Sequence, residues 1–144
     1  MPRKKPARTE YIVEKLREWQ KDENATIAMT TKIIEKTNNE FVQLVMDIIR
    51  NDSMMHHRVQ QFIIDSLTVK AISLTPEELG DIWTLVAKHI KMEKETVGLG
   101  AELQQECRLF VQSHLLSYLF ADESKHDMLL QKLEDFKRNL YPYA

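Results

Sequence analysis

The stretch LFADESKHDMLL, residues 119–130, combines the apolar spacing of a helix with polar residues on the same face. Leu119, Glu123, His126 and Leu130 follow one another at steps of three or four positions. Side chains at this spacing project from one side of an α-helix, and in a folded domain that side is turned to the core. The segment therefore predicts a core-facing helix that carries a carboxylate and an imidazole inside the protein.

Three further segments show apolar stripes of the same period, and ionisable side chains interrupt each of them. The stripes are Ile12, Leu16, Trp19, Ile27 and Ile34 around Glu23; Val42, Val45, Ile49, Ile63 and Leu67 around Asp52, Ser53 and His56; and Ile82, Val86, Val97 and Leu103 around His89 and Glu93. Trp19 is expected to be a core or interface anchor. Together the four stripes predict an all-α four-helix bundle over residues 10–140.

Turn signals separate the predicted helices. Asn38-Asn39 marks the first turn, and Thr75-Pro76-Glu77-Glu78 has the residues of a capping box that starts the third helix. The third turn is placed near Glu106 to Arg108, and Tyr141-Pro142 ends the last helix.

Composition narrows the class of protein. Three glycines and four prolines in 144 residues favour long helices, and a net charge of −2 with 29% charged residues indicates no nucleic-acid partner. The segment 1–9 is interpreted as a flexible basic tail and 141–144 as an aromatic tail. Without a run of about 20 apolar residues no membrane partner is expected. Cys107 is the single cysteine, which favours a cytoplasmic location.

A shift of 70 positions superposes the two halves of the chain. It brings Glu23 onto Glu93, Asp52 onto Asp122 and His56 onto His126, whereas Ser53 meets Glu123. The tripeptide FVQ begins at Phe41 and again at Phe110, an offset of 69, which predicts a one-residue difference in length between the two halves. The pattern predicts two helical hairpins related by an internal repeat.

The spacing within each half predicts that its polar side chains meet. Glu23 and Ser53 are 30 positions apart, as are Glu93 and Glu123, so each pair lies symmetrically about a predicted turn. Residues equidistant from the turn of an antiparallel hairpin lie at the same height. The polar groups are therefore expected to form one layer.

A buried layer of carboxylates needs neutralisation, because each isolated charge costs several kcal/mol in an apolar interior. The predicted metal ligands are Glu23, His56, Glu93, Glu123 and His126. This mixed oxygen and nitrogen set suits iron as one or two ions, with manganese or zinc as alternatives. The remaining alternative is a metal-free network in which the same groups satisfy one another.

These residues resemble the ferritin-like superfamily, and within it the rubrerythrin-like di-iron carboxylate proteins, whose bundles carry a Glu on two helices and Glu-x-x-His on the others. Glu23, Glu93 and Glu123-Ser124-Lys125-His126 fit that pattern, whereas Ser53-Met54-Met55-His56 keeps the histidine and has Ser53 where the family has a glutamate. Asp52, four residues before His56, is a candidate substitute. The resemblance implies non-haem iron, oxidase, peroxidase or iron-handling chemistry, and a crossover between the second and third helices. A simple up-and-down connection is the alternative, because only Thr68 to Thr75 is free to form the link.

Two functions of different classes remain open. The first is a metal-binding, ferritin-like protein, and the second is a metal-free bundle that serves as a scaffold or interaction subunit, with a homo-oligomer open in either case. His89, one turn before Glu93, resembles the His-x-x-x-Glu step of hemerythrins, but no His-x-x-x-His follows it on a later helix. Phosphate-binding glycine loops and hydrolase signatures are absent from the sequence.

Overall fold

Four long α-helices account for the architecture. The computed structural model describes residues 5–140, with side chains for residues 7–139, and within this range there is no β-strand. The helices are α1 (Lys5–Lys36), α2 (Glu40–Thr68), α3 (Pro76–Glu106) and α4 (Phe110–Leu140). The predicted all-α class with four helices is confirmed.

The chain divides into two compact units, one ending at Ile72 and the other beginning at Ser73. In the first unit α1 packs against α2, and in the second α3 packs against α4. Each unit is a pair of helices joined by a short turn, which makes it an antiparallel hairpin. We call them the N-terminal hairpin and the C-terminal hairpin.

The two turns have the same length. Residues 37–39 join α1 to α2, and residues 107–109 join α3 to α4, so the turn predicted near Glu106 to Arg108 is confirmed. Phe41 is the second residue of α2, whereas Phe110 is the first residue of α4. The one-residue difference expected from the FVQ tripeptides is therefore wrong, because these letters recur one position out of structural register.

Side chains cap the helices where the sequence predicts. Thr75 Oγ1 accepts a hydrogen bond from the Glu78 N–H at 3.2 Å, and Glu78 Oε2 accepts one from the Thr75 N–H at 2.9 Å. Asn39 Oδ1 accepts from the Val42 N–H at 3.0 Å at the start of α2. These bonds satisfy amide groups that have no partner within the helix. Both helices therefore begin at defined positions.

The ends of the chain differ in part from the expected tails. Helix α1 begins at Lys5, so residues 5–9 of the predicted tail 1–9 are helical. The first four residues and the predicted aromatic tail, 141–144, lie outside the described residues.

The helix faces that pack within each hairpin are unusually polar. Among the described residues, only Ile64, Leu79 and Ile90 are buried apolar side chains. The buried polar side chains are Gln20, Glu23, Thr30, Ser53, Gln60 and Glu93. Of the predicted polar layer, Glu23, Ser53 and Glu93 are buried, Glu123 and His126 are half-buried, and the His56 side chain is 56% exposed.

Trp19 is not a core residue, since 56% of its surface is exposed. The face of α1 that is buried against α2 runs through Gln20, Glu23 and Thr30. Gln20 Nε2 donates to Gln61 Oε1 at 3.0 Å and to the His57 carbonyl at 3.3 Å. Trp19 precedes Gln20 and therefore points about 100° away around the helix. The core alternative predicted for this residue is wrong within its own hairpin, and the interface alternative stays a prediction.

Each hairpin also carries apolar side chains in contact with water. On α3 these residues recur at heptad-like steps and are 44–71% exposed: Ile82, Leu85, Met92, Leu99 and Leu103. A seam of this kind normally packs against another helix. Over residues 5–140, no helix is long and apolar enough to cross a membrane.

We expect Thr75→Ala to destabilise the C-terminal hairpin, because the variant loses the cap at the start of α3. The free energy of unfolding, measured by chemical denaturation, should fall by about 0.5–2 kcal/mol. Thr84→Ala, at an exposed position of the same helix, is the matched control and should change stability little. Equal effects of the two substitutions would contradict the assigned cap.

Candidate metal centre

Three of the five predicted ligands converge in the C-terminal hairpin. Glu93, Glu123 and His126 each offer a ligand atom, and these atoms all lie within 4.8 Å of one another. Helix α3 supplies Glu93, which is 9% exposed, and α4 supplies Glu123 and His126 from consecutive turns, both half-buried. The prediction that Glu93 and Glu123 meet across the hairpin is confirmed.

His126 turns one ring nitrogen to the carboxylates and the other away from them. Its Nδ1 lies 3.7 Å from Glu93 Oε1 and 3.7 Å from Glu123 Oε2. Its Nε2 lies 3.5 Å from Asp122 Oδ2, while Asp122 Oδ1 pairs with Lys125 Nζ at 2.7 Å. A histidine that binds a metal commonly presents its second nitrogen to a carboxylate in this manner. Nδ1 is therefore the nitrogen available to an ion.

The two carboxyl groups perturb each other. Hydrogen bonding to Glu93 raises the pKa of Glu123, with burial and the negative charge of Glu93 acting in the same direction. The same hydrogen bond lowers the pKa of Glu93, and the charges of His126 and His89 lower it further. Two carboxyl groups this close disfavour simultaneous ionisation, so the second proton of the pair is released less readily than that of an isolated carboxyl group. A divalent cation would offset the same repulsion.

Each member of the cluster has an outer partner, and one buried oxygen lacks a donor. His89 Nε2 lies 3.0 Å from Glu93 Oε1, and Thr96 Oγ1 donates to Glu123 Oε2 at 3.3 Å. Glu93 Oε2 is buried and accepts no hydrogen bond from a donor group among the described residues. Buried polar atoms are rarely left without a partner, which makes this oxygen a candidate ligand atom.

The N-terminal hairpin holds the other two predicted ligands in a different setting. Glu23 is buried, and its Oε1 lies 3.4 Å from Nδ1 of His56, a side chain that is 56% exposed. Gln60 Nε2 donates to the same oxygen at 3.4 Å. Ser53 is buried at the position that matches Glu123, so no second carboxylate faces Glu23 from that position. Within the described residues, no group of three metal-ligand side chains forms in this hairpin.

The pattern of the sequence did not identify two of the residues that contact the carboxylates. Gln60 carries an amide where the matching position of the C-terminal hairpin is Leu130, and a polar residue within an apolar stripe is the signal that was available. His89 lies on the same predicted stripe as Glu93, and the spacing of four positions between them is the signal for the contact that the structure shows. Asp52, the candidate substitute for a glutamate, is half-buried.

No protein-family model, curated protein or solved structure matches this chain. The chemistry of the side chains is thus the guide to function. Two carboxylates and one imidazole, three protein ligands in all, suit a divalent transition metal and leave coordination positions open for other molecules.

We expect Glu123→Gln to stabilise the metal-free protein near neutral pH. Because the pKa of Glu123 is raised on folding, its favourable contribution is full below the ordinary value of 4.5 and is lost as pH rises through the raised value. The amide stays neutral at every pH and can donate to Glu93. Thermal unfolding with a chelator present should show an advantage for the variant that shrinks as pH falls towards 4.5.

Glu95→Gln, an exposed change on α3, is the control for the general loss of one negative charge. It should show no comparable pH-dependent advantage. A Glu123→Gln variant that is less stable than the parent throughout this pH range would contradict the raised pKa of Glu123.

Proposed function

We propose that this chain is a ferritin-like metal-binding protein that holds one non-haem iron or manganese ion in its C-terminal hairpin. Glu93, Glu123 and His126 are the ligands. The observation that carries the proposal is the convergence of one ligand atom from each of these residues to within 4.8 Å, with the buried carboxyl group of Glu93 among them.

The donor set supports iron or manganese over a soft metal. Carboxylate oxygens suit hard cations and imidazole suits iron and zinc, whereas Cu(I) selects thiolate and thioether groups. The outer partners, His89 on Glu93, Thr96 on Glu123 and Asp122 on His126, would hold the ligands in place. A bound iron ion would supply Lewis acidity and one-electron chemistry, which supports an oxidase, peroxidase or iron-handling role.

The ferritin-like fold is part of this proposal. Helices α1 and α3 end 70 positions apart, and α2 and α4 begin 70 positions apart, which supports an internal repeat of hairpins. Residues 69–75 join α2 to α3, and seven extended residues reach at most about 25 Å, which is shorter than α2 at about 1.5 Å per residue. The crossover that the family implies therefore does not fit this link, and the simple up-and-down connection is the alternative that its length allows.

The N-terminal hairpin favours single occupancy. Gln60 donates its amide to Glu23 and so supplies part of what a cation would supply. Ser53 removes the second carboxylate, and His56 is mostly exposed. This half supports the second candidate function, a metal-free scaffold role. Binding measurements decide between the two functions.

Purified full-length protein should bind about one Fe(II) or Mn(II) per chain, and binding should raise the melting temperature by mass action. Glu123→Ala and His126→Ala should each abolish binding, because two ligands remain. Metal content after equilibrium dialysis and thermal scans with and without chelator measure both effects. Glu95→Ala, the loss of an exposed carboxylate on α3, should bind as the parent does.

A chelator that leaves the melting temperature unchanged, together with metal-free protein after dialysis, would favour the scaffold function. Full binding by the Glu123→Ala and His126→Ala variants would place the ion elsewhere.

The double substitution Ser53→Glu with Gln60→Leu should create a second site in the N-terminal hairpin. It adds a carboxylate near Glu23 and His56 and removes the amide that satisfies Glu23. Metal content should rise from about one to about two ions per chain, by the same three-ligand logic. Gln60→Leu alone is the control and should leave the content unchanged. A folded double variant that still binds one ion would contradict the proposal that positions 53 and 60 correspond to positions 123 and 130 of the C-terminal hairpin.

A further inference from the structure

His89 lies outside the three-ligand cluster but contacts one of its members, Glu93, on the same helix. The His89 Nε2 atom is 3.0 Å from Glu93 Oε1, the usual distance of a hydrogen bond. Because a carboxylate oxygen accepts, the Nε2 atom must carry the hydrogen of this bond. The same oxygen lies 3.7 Å from His126 Nδ1, so two imidazoles approach Oε1.

The two oxygens of Glu93 are consequently unlike. Oε1 has the His89 hydrogen bond, whereas Oε2 is buried and receives no hydrogen bond from the described residues. A carboxylate held by one oxygen loses rotational freedom, and the lone pairs of its other oxygen remain available to an ion.

We propose, on the basis of the metal-binding function above, that His89 is a positioning residue that orients the Glu93 carboxylate for coordination. His89 itself is not among the three residues whose ligand atoms lie within 4.8 Å of one another. Its role is to reduce the number of orientations that Glu93 samples before the ion arrives. Metal affinity, rather than the number of ions bound, is the property that it sets.

The exposure of His89 separates this role from a structural one. Its side chain is 55% exposed, and ion pairs at such positions contribute little to folding stability. Loss of the imidazole should therefore leave unfolding of the metal-free protein nearly unchanged. In the N-terminal hairpin, where no three-ligand group forms among the described residues, the matching position is Trp19, which makes no hydrogen bond to Glu23 there.

The test compares full-length variants by chelator competition with Mn(II) and by absorption spectra with Co(II). His89→Ala should bind Mn(II) about 10–100-fold more weakly than the parent, with the content at saturation unchanged. His89→Gln keeps a side-chain N–H donor and should recover part of the affinity. The control is His114→Ala, because the His114 Nδ1 atom contacts only the Phe110 carbonyl of its own helix, at 2.9 Å.

The outcomes distinguish this inference from the function on which it rests. Parental affinity in His89→Ala, combined with loss of binding in Glu123→Ala, would overturn the role of His89 and leave the metal site intact. Co(II) bands that shift in His89→Ala would make His89 a ligand and also overturn the positioning role. A parent protein that binds neither ion would overturn both proposals. Weaker binding with unchanged bands, and recovery in His89→Gln, would support the inference.

Discussion

The close approach of the Glu93 and Glu123 carboxyl groups is the constraint on which the C-terminal hairpin depends. Glu93 is buried and Glu123 is half-buried, and the hydrogen bond between them lowers the pKa of Glu93 and raises that of Glu123. The surrounding contacts follow from this constraint. His126 faces both carboxylates, and the outer groups of His89, Thr96 and Asp122 each hold one member of the cluster.

The N-terminal hairpin gives its buried carboxylate different partners. One carboxylate remains buried there, and Gln60 donates an amide hydrogen to it. Ser53 fills the position of the second carboxylate with a small hydroxyl side chain. Two hairpins with turns of equal length therefore carry different side chains at the same distance from their own turns. The comparison shows that helix spacing positions these side chains, while the identity of one or two residues decides which partners they meet.

The sequence predicted those features that depend on spacing along the chain. Turn positions, the cap at Thr75 and the meeting of Glu93 with Glu123 all follow from helical geometry. The exposed position of Trp19 did not follow, because an apolar stripe covers a wide arc and does not show which part of it faces a given neighbour. The roles of Gln60 and His89 depend on side-chain orientation across or along a hairpin, which periodicity does not specify.

The three-residue turns determine which residues of the two helices lie opposite each other in the polar layer. Glu93 and Glu123 each stand fifteen positions from residue 108, so their common height is counted from the turn and not from the free ends of the helices. Lengthening the helices beyond the layer would leave this count intact. A single residue inserted between Glu93 and Glu106 would instead rotate the carboxylate by about 100° and move it about 1.5 Å along the axis. Length variation in such a protein is thus tolerated at one end of each hairpin and excluded at the other.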